Sequence, residues 1–282
     1  MSTEKPLINL IQERLTGDLQ ELPVFHSVAG KLQQLLSSRS FEISDVTELI
    51  GEDQSLTGRV LKVANSSYYA GLTKIATIKD AIIRLGAQEI ANMAMLASQF
   101  EFYNSSNKTL NTMMQALWGH ALACAVGAKW MTRKAGYPGM AAEAFMGGLM
   151  HDIGSLALLK VLDDIIKSNQ TTIFFSDQLI NEIIAAMHEE VGFNLMQAWN
   201  FPDFYCEIAR NHHGEPFDQT NILLVAVRLS NQACKKLGRS LQPADPSITL
   251  FSTPEAQILG LKEIALAELE IIIEDADGIS AG

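Results

Sequence analysis

The residues best able to do chemistry are five histidines and one aspartate between residues 120 and 213. His151 and Asp152 are adjacent within the stretch 143–160, whose apolar spacing predicts a single helix. Asp152 shares the apolar face of that helix, and a carboxylate there is costly to bury unless a cation pairs with it. We therefore expect the remaining histidines of this segment to converge on the doublet. They are His120, His188, His212 and His213.

Imidazole and carboxylate ligands together favour a divalent transition metal, Fe, Mn, Ni or Zn, over Ca²⁺ or Mg²⁺ alone. Asn231, on a predicted helical face with Leu224, Val227 and Cys234, completes a set of seven candidate ligands or neighbouring groups. A metal ion with open positions lowers the pKa of a bound water and polarises a phosphate. The competing interpretation makes each histidine an ordinary core residue bonded to a carbonyl group or to Asp152. One histidine alone favours that interpretation, and five near one aspartate weaken it.

Composition and charge exclude several other classes of function. The net charge of −11 disfavours binding to DNA, RNA or an anionic membrane surface. Residues 45–67 have the outline of a helix-turn-helix, but the second helix offers only Arg59 and Lys62 to phosphates. The N-terminus lacks the pattern of a signal peptide, and charges interrupt every apolar run. Three widely spaced cysteines without a CxxC motif predict reduced thiols in a cytoplasmic protein.

The pattern of the whole chain predicts an all-α, multi-helix bundle. Helical spacing recurs throughout, prolines cluster at the joints, and no long period-two alternation argues for a sheet. The polar segment 101–108 marks the expected subdomain boundary, and 160–176 predicts a short helix and a turn. We expect one helix to begin at Pro23, one at Ser55 and one at Asp177 as its N-cap, and others over 77–86, 87–100, 109–133, 219–237 and 254–273.

The order of these motifs resembles the HD superfamily of metal-dependent phosphohydrolases, and more closely its HDOD branch. The histidine order carries the first resemblance: His120, then His151-Asp152-Ile153-Gly154, then His188 with Gly192, then His212-His213. The N-terminal half carries the second, through LPVFHSVAGKLQQLL, ISDVTELIGEDQSLTGRVLKVANSSYYAG and IKDAIIRLGAQEIANMAML. Its most specific points are Ala-Asn-Ser at 64–66 and Leu-Gly at 85–86, and the resemblance covers roughly residues 20–235.

The resemblance implies an N-terminal helical part of the HDOD domain at 1–108, an HD-like helical core at 109–240, and a C-terminal loop and helix at 241–282. HDOD proteins are mostly bacterial and are associated with signalling and regulation. By position, His120, His151 and Asp152 match the first metal position of the HD pattern, with His151 and Asp152 as its catalytic doublet. His188 with His212 or His213 matches the second metal position of the related HD-GYP enzymes.

The sequence departs from the family patterns at two points, and these departures leave two functional hypotheses open. The closing aspartate of the HD pattern falls at Asn231, a neutral ligand, and the GYP triplet is absent after His213. The first hypothesis is a signalling module whose HD-type pocket binds a metal, a small phosphorylated ligand or a signalling protein. The second is a metal-dependent phosphohydrolase acting on a nucleotide or phosphodiester. Asn231 favours the first because a lost carboxylate removes charge that the metal needs.

Overall fold

The protein is all-helical throughout the part of the chain that the structure, a computed structural model, describes. Those residues are 7–17, 28, 31, 32, 34, 35, 41–66, 69, 71, 73–168 and 175–276. The helix predicted to begin at Pro23 lies largely outside them. The helices are α1 (Leu7–Gly17), α2 (Ile43–Gly51), α3 (Gln54–Ala64), α4 (Ile78–Leu85), α5 (Ala87–Gln99), α6 (Lys108–Lys134), α7 (Ala141–Met150), α8 (Ile153–Lys167), α9 (Asp177–Ala198), α10 (Asp203–Asn211), α11 (Ile222–Lys236), α12 (Pro254–Ile258) and α13 (Glu263–Glu274).

Six of the helices begin where a side chain accepts a free backbone N–H group of the first turn. Asn107 caps α6 by accepting from the Leu110 amide, and Asn221 caps α11 by accepting from the Leu224 amide. The prediction that Asp177 is an N-cap is wrong by one residue. The cap is Ser176, whose hydroxyl accepts from the Leu179 amide, and Asp177 is the first residue of α9.

The prediction of one helix over 143–160 is wrong in a way that matters for function. Helix α7 ends at Met150 and α8 begins at Ile153, so His151 and Asp152 form a break between two helices. The imidazole Nδ1 of His151 bonds to the carbonyl of Gly148, and the Ser155 amide donates to the carbonyl of Asp152. Apolar periodicity continues through the break, which is why the sequence conceals it.

Two other predicted boundaries also need correction. Helix α8 continues to Lys167, so no separate short helix begins at residue 160, and residues 169–174 of the predicted turn lie outside the described residues. The helix predicted over 254–273 is two helices, α12 and α13. They are separated at Gly260, whose φ of +62° is readily adopted only by glycine.

Two hydrophobic clusters share one helix. The larger cluster is formed by α6–α11 with α12, α13 and α1, and the smaller by α2, α3 and α4 with Val28 and Leu32. Helix α5 belongs to both, because Ile90 and Met93 pack into the smaller cluster whereas Met95 and Leu96 pack into the larger one. Every residue of α5 from Glu89 to Gln99 is buried.

One stretch, Pro138–Lys167, is long and apolar enough to cross a membrane, judged by length and composition. In the structure it is two helices, and 89% of its most apolar window is buried inside the protein. Buried core helices also meet this criterion of length and composition, and this stretch is buried in the same way.

Candidate metal centre

The carboxylate of Asp152 lies at the meeting point of four imidazoles. Its Oδ2 is 3.6 Å from His120 Nε2 and 3.9 Å from His151 Nε2. Its Oδ1 is 3.7 Å from both His188 Nε2 and His212 Nε2. The carboxylate therefore separates two histidine pairs, one facing each oxygen. We call these five residues the Asp152 cluster.

Each of the four imidazoles is oriented by a backbone carbonyl. The Nδ1 atom donates to that carbonyl, which assigns the proton of the neutral ring to Nδ1 and leaves the lone pair on Nε2 facing Asp152. This is the orientation that metal-ligating histidines normally have. The carbonyls are those of Arg239 for His120 (2.7 Å), Gly148 for His151 (2.7 Å), Ile184 for His188 (2.8 Å) and Ala209 for His212 (2.9 Å).

Within each pair, the two Nε2 atoms are in close contact. They are 3.2 Å apart for His120 and His151, and 3.3 Å apart for His188 and His212. Two lone pairs cannot face one another at such distances without a proton or a cation between or beside them. The carbonyl-bonded Nδ1 atoms already use the one proton of each neutral ring, so the cluster requires an added positive charge.

Burial lowers the pKa of two of the four imidazoles, those of His151 and His212. It lowers the pKa of His151 to about 4, with His120 and His188 adding to the shift and Asp152 opposing it. Burial likewise lowers the pKa of His212, helped by His151 and His213. For Asp152, burial disfavours the charged form, but the surrounding imidazoles outweigh it and its pKa lies below the ordinary value. Neutral imidazoles and an ionised carboxylate are the protonation states that bind metal ions.

The two remaining predicted residues lie beside the Asp152 cluster. Asn231 is buried, and its Oδ1 has no hydrogen-bond partner among the residues that the structure describes. His213 is on the solvent side of His188, and its Nδ1 is 3.3 Å from Lys235 Nζ. The sequence could not choose between His212 and His213 for the second pair. The structure places His212 in the cluster and His213 at its rim.

A cavity of about 320 Å³ leads from solvent to the Asp152 cluster. Lys235 is the one lysine or arginine in its described lining, and Ser155 donates from Oγ to Asp152 Oδ1 at 3.0 Å. Sequence reasoning missed both residues. Lys235 follows Asn231 by one helical turn, and this spacing was the available signal. The cavity is also lined by His120, Asn181, His188, Glu189, Ser240 and Gln242.

Arg228 supports the segment that carries His212 and His213. Its Nη1 donates to the carbonyls of Asn211 (3.1 Å) and Gly214 (2.8 Å), which flank the two histidines. Its Nε donates to Glu255 Oε1 at 2.8 Å, and both side chains of this pair are at least 95% buried, with exposed fractions of 5% and 1%. Sequence reasoning left Arg228 unplaced because its partners are distant along the chain.

Comparison with known proteins agrees with this geometry. The family model of the HDOD domain matches residues 22–215, which is more than half of the chain. The chain therefore belongs to the HDOD family, as the sequence predicted.

Solved structures share the fold. An HDOD domain protein of unknown function from Geobacter sulfurreducens matches with a TM-score of 0.73 and 22% identity, covering 96% of this chain and 97% of that one. A protein from Shewanella amazonensis SB2B, provisionally assigned as a metal-dependent phosphohydrolase, matches with a TM-score of 0.65 and 19% identity over 95% and 99%. A protein from Marinobacter aquaeolei VT8, provisionally assigned to signal transduction, matches with a TM-score of 0.72 and 22% identity over 98% and 63%.

A curated relative from Treponema pallidum (strain Nichols) is an uncharacterised protein. It is 21% identical over 225 residues, covering 78% of this chain and 43% of its own length. The chain therefore spans less than half the length of that relative. At these identities, the solved structures show a common fold.

Proposed function

We propose that this HDOD protein is a cytoplasmic regulatory module whose Asp152 cluster holds divalent transition metal ions and binds an anionic ligand. The observation that carries the proposal is the convergence of four carbonyl-oriented Nε2 atoms on the two oxygens of one buried carboxylate. An ordinary core histidine is satisfied by one hydrogen bond to a carbonyl group. Core packing alone would not direct the second nitrogen atoms of four such histidines at the same carboxylate.

The donor set fits a metal. The side chains of His120, His151, His188 and His212 would act as neutral nitrogen ligands, with Asp152 between them. The orphaned Asn231 Oδ1 lies buried at the same cavity and offers a further oxygen. The candidate metals are Fe, Mn, Ni and Zn, because mixed imidazole and carboxylate sites suit these ions.

The charge of the donor set favours an anionic ligand. Asp152 is the one carboxylate among the five cluster residues, so divalent ions held there would keep most of their positive charge. Lys235 adds a further cation at the cavity. A small phosphorylated ligand would supply the missing negative charge, and signalling proteins that respond to its binding are the expected partners.

The first test is elemental analysis of the purified full chain after incubation with Mn, Fe, Ni and Zn salts. We expect near-stoichiometric Mn in the wild type and its loss in Asp152→Ala and His151→Ala. Asp164→Asn is the matched control. Asp164 is on α8 and pairs with Arg14 at the surface, at 2.6 Å, away from the cavity. A wild-type protein that binds none of the four metals would contradict the proposal.

A metal-dependent phosphohydrolase is the second candidate, and the cavity is the specific observation that favours it. A bound divalent metal would supply Lewis-acid activation of a phosphate and of water. In this chain, Lys235 and His213 would contact the phosphate and Ser155 would orient Asp152, which is accessible from solvent through the cavity. The substrate class would be a nucleotide or phosphodiester small enough for about 320 Å³.

Turnover of the chromogenic diester bis(4-nitrophenyl) phosphate by the Mn-, Fe- or Ni-loaded protein distinguishes the two candidates. The regulatory proposal expects metal binding without turnover, because the neutral Asn231 replaces a carboxylate ligand of the HD pattern. Turnover that disappears in Asp152→Ala would make the protein a phosphohydrolase. Asn231→Asp restores the missing charge and is the variant in which to look for gained turnover.

A further inference from the structure

Two thiols lie directly behind the Asp152 cluster. Cys124 is one turn after His120 on α6, and Cys234 is on α11, three residues after Asn231. Both side chains are fully buried and free, and their Sγ atoms are 3.6 Å apart. Cys124 Sγ is also 3.8 Å from His120 Nε2. Two sulfurs and one imidazole nitrogen thus form a compact group at the inner end of the site.

Two of the three spacings in this group are close to the edges of a metal-centred tetrahedron, although Cys124 Sγ is also 4.0 Å from His120 Nδ1. With Zn–S bonds of about 2.3 Å and Zn–N bonds of about 2.05 Å, two sulfurs are about 3.8 Å apart and a sulfur and a nitrogen about 3.6 Å apart. The measured distances of 3.6 Å and 3.8 Å lie close to both values. A disulfide would instead require the two sulfurs to approach to about 2.05 Å.

His120 is the point at which the two groups of ligands meet. Its Nδ1 is occupied by the carbonyl of Arg239, so Nε2 is its single ligating atom. That atom is 3.2 Å from His151 Nε2 on one side and 3.8 Å from Cys124 Sγ on the other. One nitrogen lone pair can bind one ion, so occupation of one group withdraws His120 from the other.

We propose that His120, Cys124 and Cys234 form a separate thiolate-containing site for a thiophilic divalent ion, typified by Zn²⁺, which competes with the Asp152 cluster for His120. Each thiol releases its proton to solvent as the ion binds, so two thiolates balance the charge of the buried ion. Soft sulfur ligands select Zn²⁺ over Mn²⁺. His120 also lines the cavity, which gives an ion a route from solvent.

Cobalt substitution of the full chain tests this site by a readout other than activity. Co²⁺ bound by thiolate gives intense sulfur-to-metal charge-transfer absorption in the near ultraviolet, whereas imidazole and carboxylate ligands do not. We expect this absorption in the reduced wild type, a fall by at least about half in Cys124→Ser or Cys234→Ser, and its loss in the double variant, since each thiolate contributes a band.

The controls separate this site from the proposed function. Cys206→Ser replaces a third buried cysteine, whose pKa burial raises to about 11, and it should leave the absorption unchanged. Asp152→Ala should abolish metal binding at the Asp152 cluster while keeping the thiolate bands. Absence of the bands from folded wild-type protein, or their persistence in the double variant, would overturn the proposal.

Counting the free thiols of the denatured protein tests the proposed thiolate site independently. Three free thiols in protein purified in air support the site. One free thiol would mean that Cys124 and Cys234 form a disulfide instead, and the metal proposal would then be wrong.

Discussion

The two helical clusters of this protein pack by different rules. The smaller one, around α2, α3 and α4, buries mainly aliphatic side chains, and Gly51 and Gly58 in its helices have open space where a Cβ would be. The larger one buries four histidines, an arginine and a glutamate, and its backbones touch at glycines. A Cβ added to Gly154 would lie 2.0 Å from the carbonyl oxygen of His188.

The difference shows what a buried polar site requires of its surroundings. Aliphatic packing tolerates small shifts, because dispersion contacts are numerous and weakly directional. The Asp152 cluster instead needs each imidazole held by a particular carbonyl, and the close contact of α8 with α9 at Gly154 fixes where His188 lies. Helix α5 packs in both clusters, so it connects the aliphatic cluster to the one that contains the Asp152 cluster.

The largest effect is expected from breaking the buried ion pair between α6 and α5. Lys129 Nζ is 2.5 Å from Glu89 Oε1, and the lysine side chain is 2% exposed. Lys129→Met leaves a buried carboxylate without its cation, so we expect unfolding free energy in urea to fall by about 3–5 kcal/mol.

The matched control for that change is on the same helix. Lys134 pairs with Glu268, but both side chains are 44–45% exposed. Lys134→Met should cost less than about 1 kcal/mol, because exposed ion pairs contribute little. Equal losses from the two substitutions would mean that the buried ion pair stabilises the fold no more than the exposed one does.

The next largest effect is expected at the contact between backbones. Gly154→Ala places a Cβ against the His188 carbonyl and the Gly192 amide, so the two helices must separate. We expect a loss of about 3 kcal/mol in urea unfolding, at the upper end for overpacking. Metal content should fall with it, because His188 moves away from Asp152. Unchanged metal content in the folded variant would contradict the link between the helix contact and the site.

A smaller effect is expected where the short helix α12 supports the site through Arg228. Glu255→Gln keeps the shape but removes the charge that pairs with Arg228, and we expect it to cost about 2 kcal/mol. Metal should also be lost faster on dialysis, since Arg228 holds the carbonyls on either side of His212 and His213. Glu215→Gln is the control, because Glu215 meets the same guanidinium but is 66% exposed. Equal effects would show that burial of Glu255 does not matter.

The smallest effect has the opposite sign and belongs to the smaller cluster. Gly58 is inside α3, and nothing lies within 4 Å of the position of a Cβ. Gly58→Ala should therefore raise the unfolding free energy by about 0.5–1 kcal/mol, because alanine loses less backbone freedom in a helix. Thermal melting at fixed metal content measures this gain, and a loss would show that the smaller cluster packs more tightly than its glycines indicate.

Much of the fold could be predicted from helical periodicity and capping residues. The predicted helix 77–86 is found at Ile78–Leu85, and 109–133 at Lys108–Lys134. The inward direction of His120 also follows from the sequence, because His120 lies at helical spacing with the apolar residues Leu117, Cys124 and Met131. The division of the chain at residues 108 and 240 stays a prediction.

What could not be predicted arises from contacts between distant segments or from backbone breaks inside apolar runs. The break at His151-Asp152 is invisible to periodicity, because apolar residues continue on both sides of it. Cys124 and Cys234 are 110 residues apart, so their contact depends on how α6 packs on α11. The choice of His212 over His213 depends on the direction of the last turn of α10, which the local sequence does not determine.

The double burial of α5 has a consequence for how the protein opens. A helix with one side in each cluster cannot expose its amides by detaching from either neighbour alone. Its amide protons should therefore exchange with solvent only when both clusters come apart, and they should be among the last to exchange in the chain. The smaller and the larger cluster would then share a single slowest opening event, so a ligand bound at Asp152 would slow hydrogen exchange in helices that do not contact it.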